Sequence, residues 1–438
     1  MRLCSALLLL ATCTMFAFGT EVRAILPGNI KPVSPYSPGI LSGEFLYVSG
    51  QGAEDSHHQI ATDEEGQIRQ CLENVKAVVE AAGLTMQHVA YVQVYLTHYS
   101  DEGPLNRIWK QFFPAAPPAR STIGVARLKG TPVEMSAVAV KDLSRRKVVM
   151  TKNYPASSPL SPAILAGDRL YLSGHLGRDI NTGRIPESPE AQVQLALDRF
   201  SQTLEAAGGD FKNVVFVNPY LTNKIPMEVM NRVYAKHFEF GNTPARATIQ
   251  VIGLPSQANI EFTGVAVLDM SKRKAVRPKN MEPSPTASPC VFAGDALFCS
   301  AKSGFIPGVH GGIYASTVET QLRQTMRNLL DGLEEAGMNF SNVVSSNVYL
   351  DNVDEFDGMN RVYAEYFSEP RPARTTIQQM APVVRSRNHM ANALNAFMGL
   401  SRCLLFAPRL MLERAHNSPS APSAEPNGPF ALLLVRLA

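Results

Sequence analysis

The sequence predicts an α+β protein made of three tandem domains, each a mixed β-sheet with two helices on one face. Two observations carry this. First, Pro-Ala-Arg opens a β-rich run at Pro118-Ala119-Arg120, at Pro244-Ala245-Arg246 and at Pro372-Ala373-Arg374. That period, about 125 residues, suits one small domain and is far too long for a solenoid. Second, each copy reads strand, strand, helix, strand, helix, strand, strand, and strands joined by helices on one side make a two-layer α+β unit. A length of 438 residues agrees with three such units. The boundaries read as 26–147, 148–275 and 276–384.

The hairpin strands that open each copy end in Ser49-Gly50-Gln51, Ser173-Gly174-His175 and Ser300-Ala301-Lys302. The first helix follows from apolar residues at helical spacing: Ile68, Leu72, Val75 and Val79 before Gly83, with matching sets before Gly208 and Gly337. Next come strands at Val89–Leu96, Val214–Leu221 and Val343–Leu350, the second carrying Pro219, which predicts a bulge or a locally exposed edge. The second helix opens near Asn106, Asn231 and Asn360 and carries an aromatic stripe, Trp109 and Phe113 in the first copy, that reads as a buried face. Strands over 120–126 and 133–140 close the first domain. The third copy breaks the pattern: after Pro382 it reads Arg385-Ser386-Arg387-Asn388-His389, so the last strand is predicted to be missing, and 385–438 to form a divergent, poorly ordered tail.

A 45% apolar and 18% charged composition with a net charge of +3 describes a globular protein with filled cores and no nucleic-acid footprint. Arg2 followed by an apolar run over 3–18 and small residues before position 19 predicts a secretory signal peptide over 1–19. Cleavage predicts export with no membrane anchor; the alternatives are an uncleaved anchor and a lipoprotein through Leu10-Ala11-Thr12-Cys13. Cys290 and Cys299 face each other if Gly294-Asp295 forms a two-residue turn. They read either as a disulfide or as two small apolar strand residues.

No nucleophile elbow, zinc motif, phosphate loop or cofactor fingerprint is present. What recurs is a polar set: Ser49, Ser173 and Ser300; Asn106, Asn231 and Asn360; Arg120, Arg246 and Arg374; Thr122, Thr248 and Thr376. Glu134 and Glu261 recur in the last strand of two copies. The proline before each arginine holds its strand start extended. A guanidinium presented this way suits bidentate capture of a small carboxylate, or a structural ion pair at a domain interface. Each glutamate reads as a surface residue or as a carboxylate that activates water.

Together, Ser34-Pro35-Tyr36, Ser49-Gly50-Gln51, the Asn106 helix, Pro118-Ala119-Arg120-Ser121-Thr122 and Val133-Glu134 resemble the RidA family, also called YjgF or L-PSP proteins. The resemblance covers residues ~30 to ~383 as three copies. It implies a chorismate-mutase-like fold, normally a homotrimer with clefts between subunits, so a monomeric chain with three copies would form an internal pseudo-trimer. The implied activity is hydrolysis of reactive enamines and imines (2-imino acids) to 2-oxo acids and ammonia, with no cofactor or metal, small-molecule substrates and no nucleic-acid partner.

By position, Arg120 and Arg246 would grip the substrate carboxylate, with Glu134 and Glu261 positioning water or relaying a proton. Tyr36, Ser49, Gly50, Asn106 and Thr122 would shape the first pocket; Ser173, Gly174, Asn231 and Thr248 the second; Ser300, Asn360 and Arg374 the third. Leu160 and Ala287 replace the tyrosine, and Ala301 the glycine. The resemblance therefore ranks repeat one as active, repeat two below it and repeat three as inactive. The alternatives are a non-catalytic binder of small carboxylates and an endoribonuclease-like activity.

Overall fold

A computed structural model describes residues 22–28, 34–98, 102–152, 154–155, 158–306, 312–380 and the backbone of 393–399. Each repeat is one mixed sheet carrying two helices on one face. In the first, the strands lie in the order Val22–Ile25, Gly39–Ser42, Phe45–Gly52, Val133–Val140, Val89–Leu96, Ala119–Gly124. Neighbours are antiparallel except the last pair, which is parallel because the Gly103–Phe112 helix returns the chain to the end from which it left.

The Glu64–Ala81 helix starts where the Asp63 side chain accepts from the Gly66 amide, and it buries the predicted stripe of Ile68, Leu72, Val75 and Val79. That stripe shares a core with Leu105 and Trp109 of the second helix and with Val48, Val92 and Met135 of the sheet, so both helices cover one face. Pro189–Ala206 and Met227–Tyr234 do the same in repeat two, Val318–Glu335 and Phe356–Tyr366 in repeat three. The opposite sheet faces share a second core that includes Tyr47 and Tyr91 of repeat one, Tyr171 and Phe216 of repeat two, and Val291 and Phe298 of repeat three.

Hydrogen bonds link the repeats in cyclic order. The Arg120 amide donates to Ser173 Oγ (2.9 Å), Arg246 to Ser300 Oγ (2.8 Å) and Arg374 to Ser49 Oγ (2.8 Å). A second set runs from Ile252 to the Gly124 carbonyl, from Met380 to Gln250 and from Ala126 to Gln378. The first set donates from one to two, two to three and three to one, and the second donates the opposite way round the same cycle.

Four features differ from the sequence reading or extend it. Each sheet has an extra leading strand, Val22–Ile25, Arg146–Val149 or Arg273–Val276, whose basic, four-residue sequences carry no clear alternation. The last strand of repeat three is not missing. Ala393–Gly399 lies between Ala296–Cys299 and Val343–Leu350, where Val133–Val140 lies in repeat one, so the sheet is complete and 276–384 is too short for this domain. Pro219 makes neither a bulge nor an edge: its strand is internal, and the break falls in the parallel ladder, where Ala245–Arg246 and Ile249–Gln250 pair separately. Asn218 Nδ2 donates to the Ala247 carbonyl there (2.9 Å), replacing the amide that proline lacks. Finally, Gly294 adopts φ +64° in the hairpin turn, the register places Cys290 opposite Cys299, and the two form a disulfide. The predicted signal peptide and most of the predicted tail lie outside the described residues.

Candidate functional site

Each arginine begins the strand at the far edge of its own sheet, and the next repeat covers that edge. The polar set predicted within one repeat is therefore divided between two. Arg120 and Asn106 face Ser173, Gly174 and Glu261 of repeat two. Tyr36, Gly50 and Glu134 of repeat one instead line a cleft with Arg374, Asn360 and Thr376 of repeat three. This corrects the grouping of Arg120 with Glu134, and with it the ranking by repeat.

A second correction concerns the serines. Ser49, Ser173 and Ser300 are buried, each donating to a carbonyl twelve residues back (Ser37, Ser161 and Ser288) at 2.5, 2.6 and 2.6 Å. Each also accepts the arginine amide of the preceding repeat. Their hydroxyls are engaged in holding the seams.

The cleft between repeats three and one measures about 740 Å³. Arg374 is 3% exposed and lines it. Its guanidinium stacks among Tyr363 at 4.7 Å, Tyr36 at 5.3 Å and Phe356 at 5.5 Å. Among the described residues no carboxylate forms an ion pair with it, and its side chain donates only to Met359 Sδ at 3.9 Å. Asn360 Oδ1 and Thr376 Oγ1 are buried without a hydrogen-bond partner among the same residues.

Glu134 stands on the other wall. Burial raises its pKa to about 8, against the lowering effects of Arg374 and of the Thr376 backbone, so the carboxyl is mostly protonated at neutral pH. Gly50 makes room for it, since a Cβ there would lie 1.8 Å from Glu134 Oε1.

The seam between repeats one and two keeps a buried glutamate but compensates its arginine. Arg120 donates to Glu102 Oε1 at 3.1 Å and to Asn106 Oδ1 at 2.8 Å, and it stacks on Trp109 at 4.8 Å. Glu261 is 1% exposed and accepts from Ser121 Oγ at 2.5 Å. Burial raises its pKa to about 8 as well, with Ser121 opposing. Thr122 Oγ1 is buried there without a hydrogen-bond partner among the described residues. Arg199 takes the place of Asn74, donating to the Leu176 and Arg178 carbonyls as Asn74 does to those of Gly52 and Glu54.

The seam between repeats two and three lacks a carboxylate at the equivalent place. Arg246 donates to Asn231 Oδ1 at 2.8 Å and stacks on Tyr234 at 5.1 Å, while Thr248 Oγ1 is buried without a hydrogen-bond partner among the described residues. The register pairs Gly52 with Glu134, Leu176 with Glu261 and Ser303 with Ala393. Alanine thus occupies the glutamate position, and Ala301 correspondingly replaces the glycine.

Sequence reasoning missed Glu102 and Phe356. The signal was present: Glu102, Met227 and Phe356 each stand four residues before the repeated asparagine. Their differences decide which arginine is already paired.

A model of the family described as Endoribonuclease L-PSP matches residues 27–141, 150–268 and 280–383. A RutC family protein of Pyrococcus horikoshii is 38% identical over 115 residues, spanning 26% of this chain and 91% of that protein. The chloroplastic Reactive Intermediate Deaminase A of Arabidopsis thaliana is 37% identical over 138 residues, spanning 31% and 71%. The 2-iminobutanoate/2-iminopropanoate deaminase of Rattus norvegicus is 36% identical over 124 residues, spanning 28% and 90%. Among solved structures, the YjgF gene product of E. coli is 34% identical, covering 27% of this chain and 99% of that chain with a TM-score of 0.27. Matched three times along its length, the chain belongs to the Endoribonuclease L-PSP family.

Proposed function

We propose that the cleft between repeats three and one hydrolyses 2-imino acids to 2-oxo acids and ammonia. One observation carries the reading: the buried Arg374, with no carboxylate paired to it among the described residues, faces the protonatable Glu134 across an open cleft. The relatives named as imine deaminases support the same chemistry.

In this scheme Arg374 takes the substrate carboxylate through its planar fork. The Glu134 carboxyl donates its proton to the imine nitrogen. Water adds to the carbon and returns a proton to Glu134. Glu134 then gives that proton to the amino group of the carbinolamine and takes up the hydroxyl proton, so that ammonia leaves as the carbonyl forms and Glu134 ends protonated. An imine is already electrophilic, so orientation and one positioned acid–base group supply the acceleration, the latter on the order of 10²–10⁴-fold.

We further propose that the three repeats act as a covalent pseudo-trimer, which the cyclic hydrogen bonds support. Export through the N-terminal segment belongs to the same reading, and the Cys290–Cys299 disulfide supports it, since such bonds persist in oxidising compartments. RNA cleavage is disfavoured: Glu54, Asp55 and Asp357 line the cleft beside Lys129, and a polyanion would meet their repulsion.

The test is hydrolysis of freshly generated 2-iminopropanoate. The protein should accelerate it, Arg374→Lys and Glu134→Gln should each lose about 10²-fold or more in kcat/KM, and Arg246→Lys should keep most of the activity. No acceleration over buffer would leave a carboxylate binder. Equal losses in both arginine variants would refute the assignment of the cleft.

A further inference from the structure

The three seams present the same arginine with different fourth neighbours, and the comparison isolates one side chain. At the position four residues before the repeated asparagine, repeat three has Phe356, 5.5 Å from Arg374, and repeat two has Met227. Repeat one has Glu102, whose Oε1 lies 3.1 Å from Arg120 Nη2. The Glu102 carboxylate is one-fifth exposed whereas the Arg120 side chain is 1% exposed, so the acid reaches in from the rim to a buried fork. Nothing in the helix requires it there: Glu102 is the N-cap residue of Gly103–Phe112, but its side chain makes no capping hydrogen bond.

We infer that Glu102 is an internal ligand, its carboxylate holding at Arg120 the place a small carboxylic acid would take, so that the seam between repeats one and two is a second acid-binding site closed by the chain itself. The rest of that seam keeps the parts found in the open cleft: Asn106 on the arginine, Thr122 with a hydroxyl lacking a hydrogen-bond partner among the described residues, and a buried protonatable glutamate, Glu261, beside Gly174. Size agrees as well. A glutamate side chain ends in –CH2–CH2–COO⁻, about the bulk of a small 2-oxo acid, so the space it vacates accepts one. With Glu102 removed, Arg120 loses the carboxylate that reaches it from the rim, and an added carboxylate takes that place.

The inference rests on the carboxylate-binding part of the proposed function, not on its catalysis, and calorimetric stoichiometry separates the two. With 2-oxobutanoate as the probe, the unmodified protein should bind one acid per chain, at the Arg374 cleft. Glu102→Ala, which empties the place, and Glu102→Phe, which reproduces the neighbour of Arg374, should each bind two. The second site should be at least about tenfold tighter than any second site in the unmodified protein. Arg120→Lys added to either variant should return the count to one.

A second site in the unmodified protein that Arg120→Lys abolishes, or no site gained in either Glu102 variant, would overturn the inference. So would a complete absence of binding in all of them. No site in the unmodified protein but one in the variants would leave it standing while refuting the assignment of Arg374. A melting curve for each variant with and without the acid provides the folding control, and the acid should raise the melting temperature of Glu102→Ala more than that of the parent.

Discussion

Glu134 and Gly50 act as one unit. The carboxylate lies where a Cβ on residue 50 would be, and repeat three, with alanine at the glutamate position, carries Ala301 at the glycine position. Gly50→Ala should therefore destabilise the protein by about 1–3 kcal/mol through overpacking, and Glu134→Ala should recover most of that loss in the double variant. Additive losses in denaturant melts would contradict the coupling. Protonation gives a second residue-scale prediction. Glu134 and Glu261 have folded pKa values of about 8 against an ordinary 4.5, so between these values the folded state holds protons that the unfolded state has released. Stability should thus fall as pH rises from about 4.5 to about 8 and level off on either side, as far as these two groups decide it. Glu134→Gln with Glu261→Gln should flatten the slope in melts across that range, and an unchanged slope would show that the two carboxyls do not set it. The repetition of Arg, Asn, Ser, Thr and Glu made these residues visible in the sequence. Which arginine meets which glutamate was not visible, because spacing along one repeat says nothing about the repeat packed against its edge.

At the scale of elements, periodicity was a sound guide wherever a face was buried. The first helices and the internal strands carry long apolar stripes, and the helix ends were legible in the glycines that follow, whereas the Asp63 cap was not singled out. The leading strands Val22–Ile25, Arg146–Val149 and Arg273–Val276 were not legible, because four residues at a sheet edge need little apolar sequence. Ala393–Gly399 was hidden for a different reason: its sequence does not copy Val133–Val140, yet the gap between two existing strands offers backbone partners on both sides, and those hydrogen bonds do not depend on side-chain identity. Hydrogen exchange tests this placement directly. Amides within 393–399 should exchange as slowly as those of Val133–Val140 and Ile260–Val267, and exchange at free-chain rates would contradict it.

At the scale of the whole molecule, fusing three copies removes the need for them to be identical. A symmetric assembly of one small domain repeats every seam, whereas a single chain can specialise each. Here one seam combines an arginine with no ion-pair partner among the described residues and a protonatable glutamate, one has its arginine paired by Glu102, and one lacks the glutamate. The sequence showed that the copies differ but assigned the differences to repeats, when they belong to the boundaries between repeats. The account therefore turns on where an acid binds. The most direct measurement is a crystal structure of the full chain with 2-oxobutanoate at saturating concentration. The account predicts its carboxylate on the Arg374 guanidinium, with the carbonyl carbon toward Glu134 and the Arg120–Glu102 contact intact. An acid bound at Arg120 or Arg246 instead, or an empty Arg374 cleft, would contradict it.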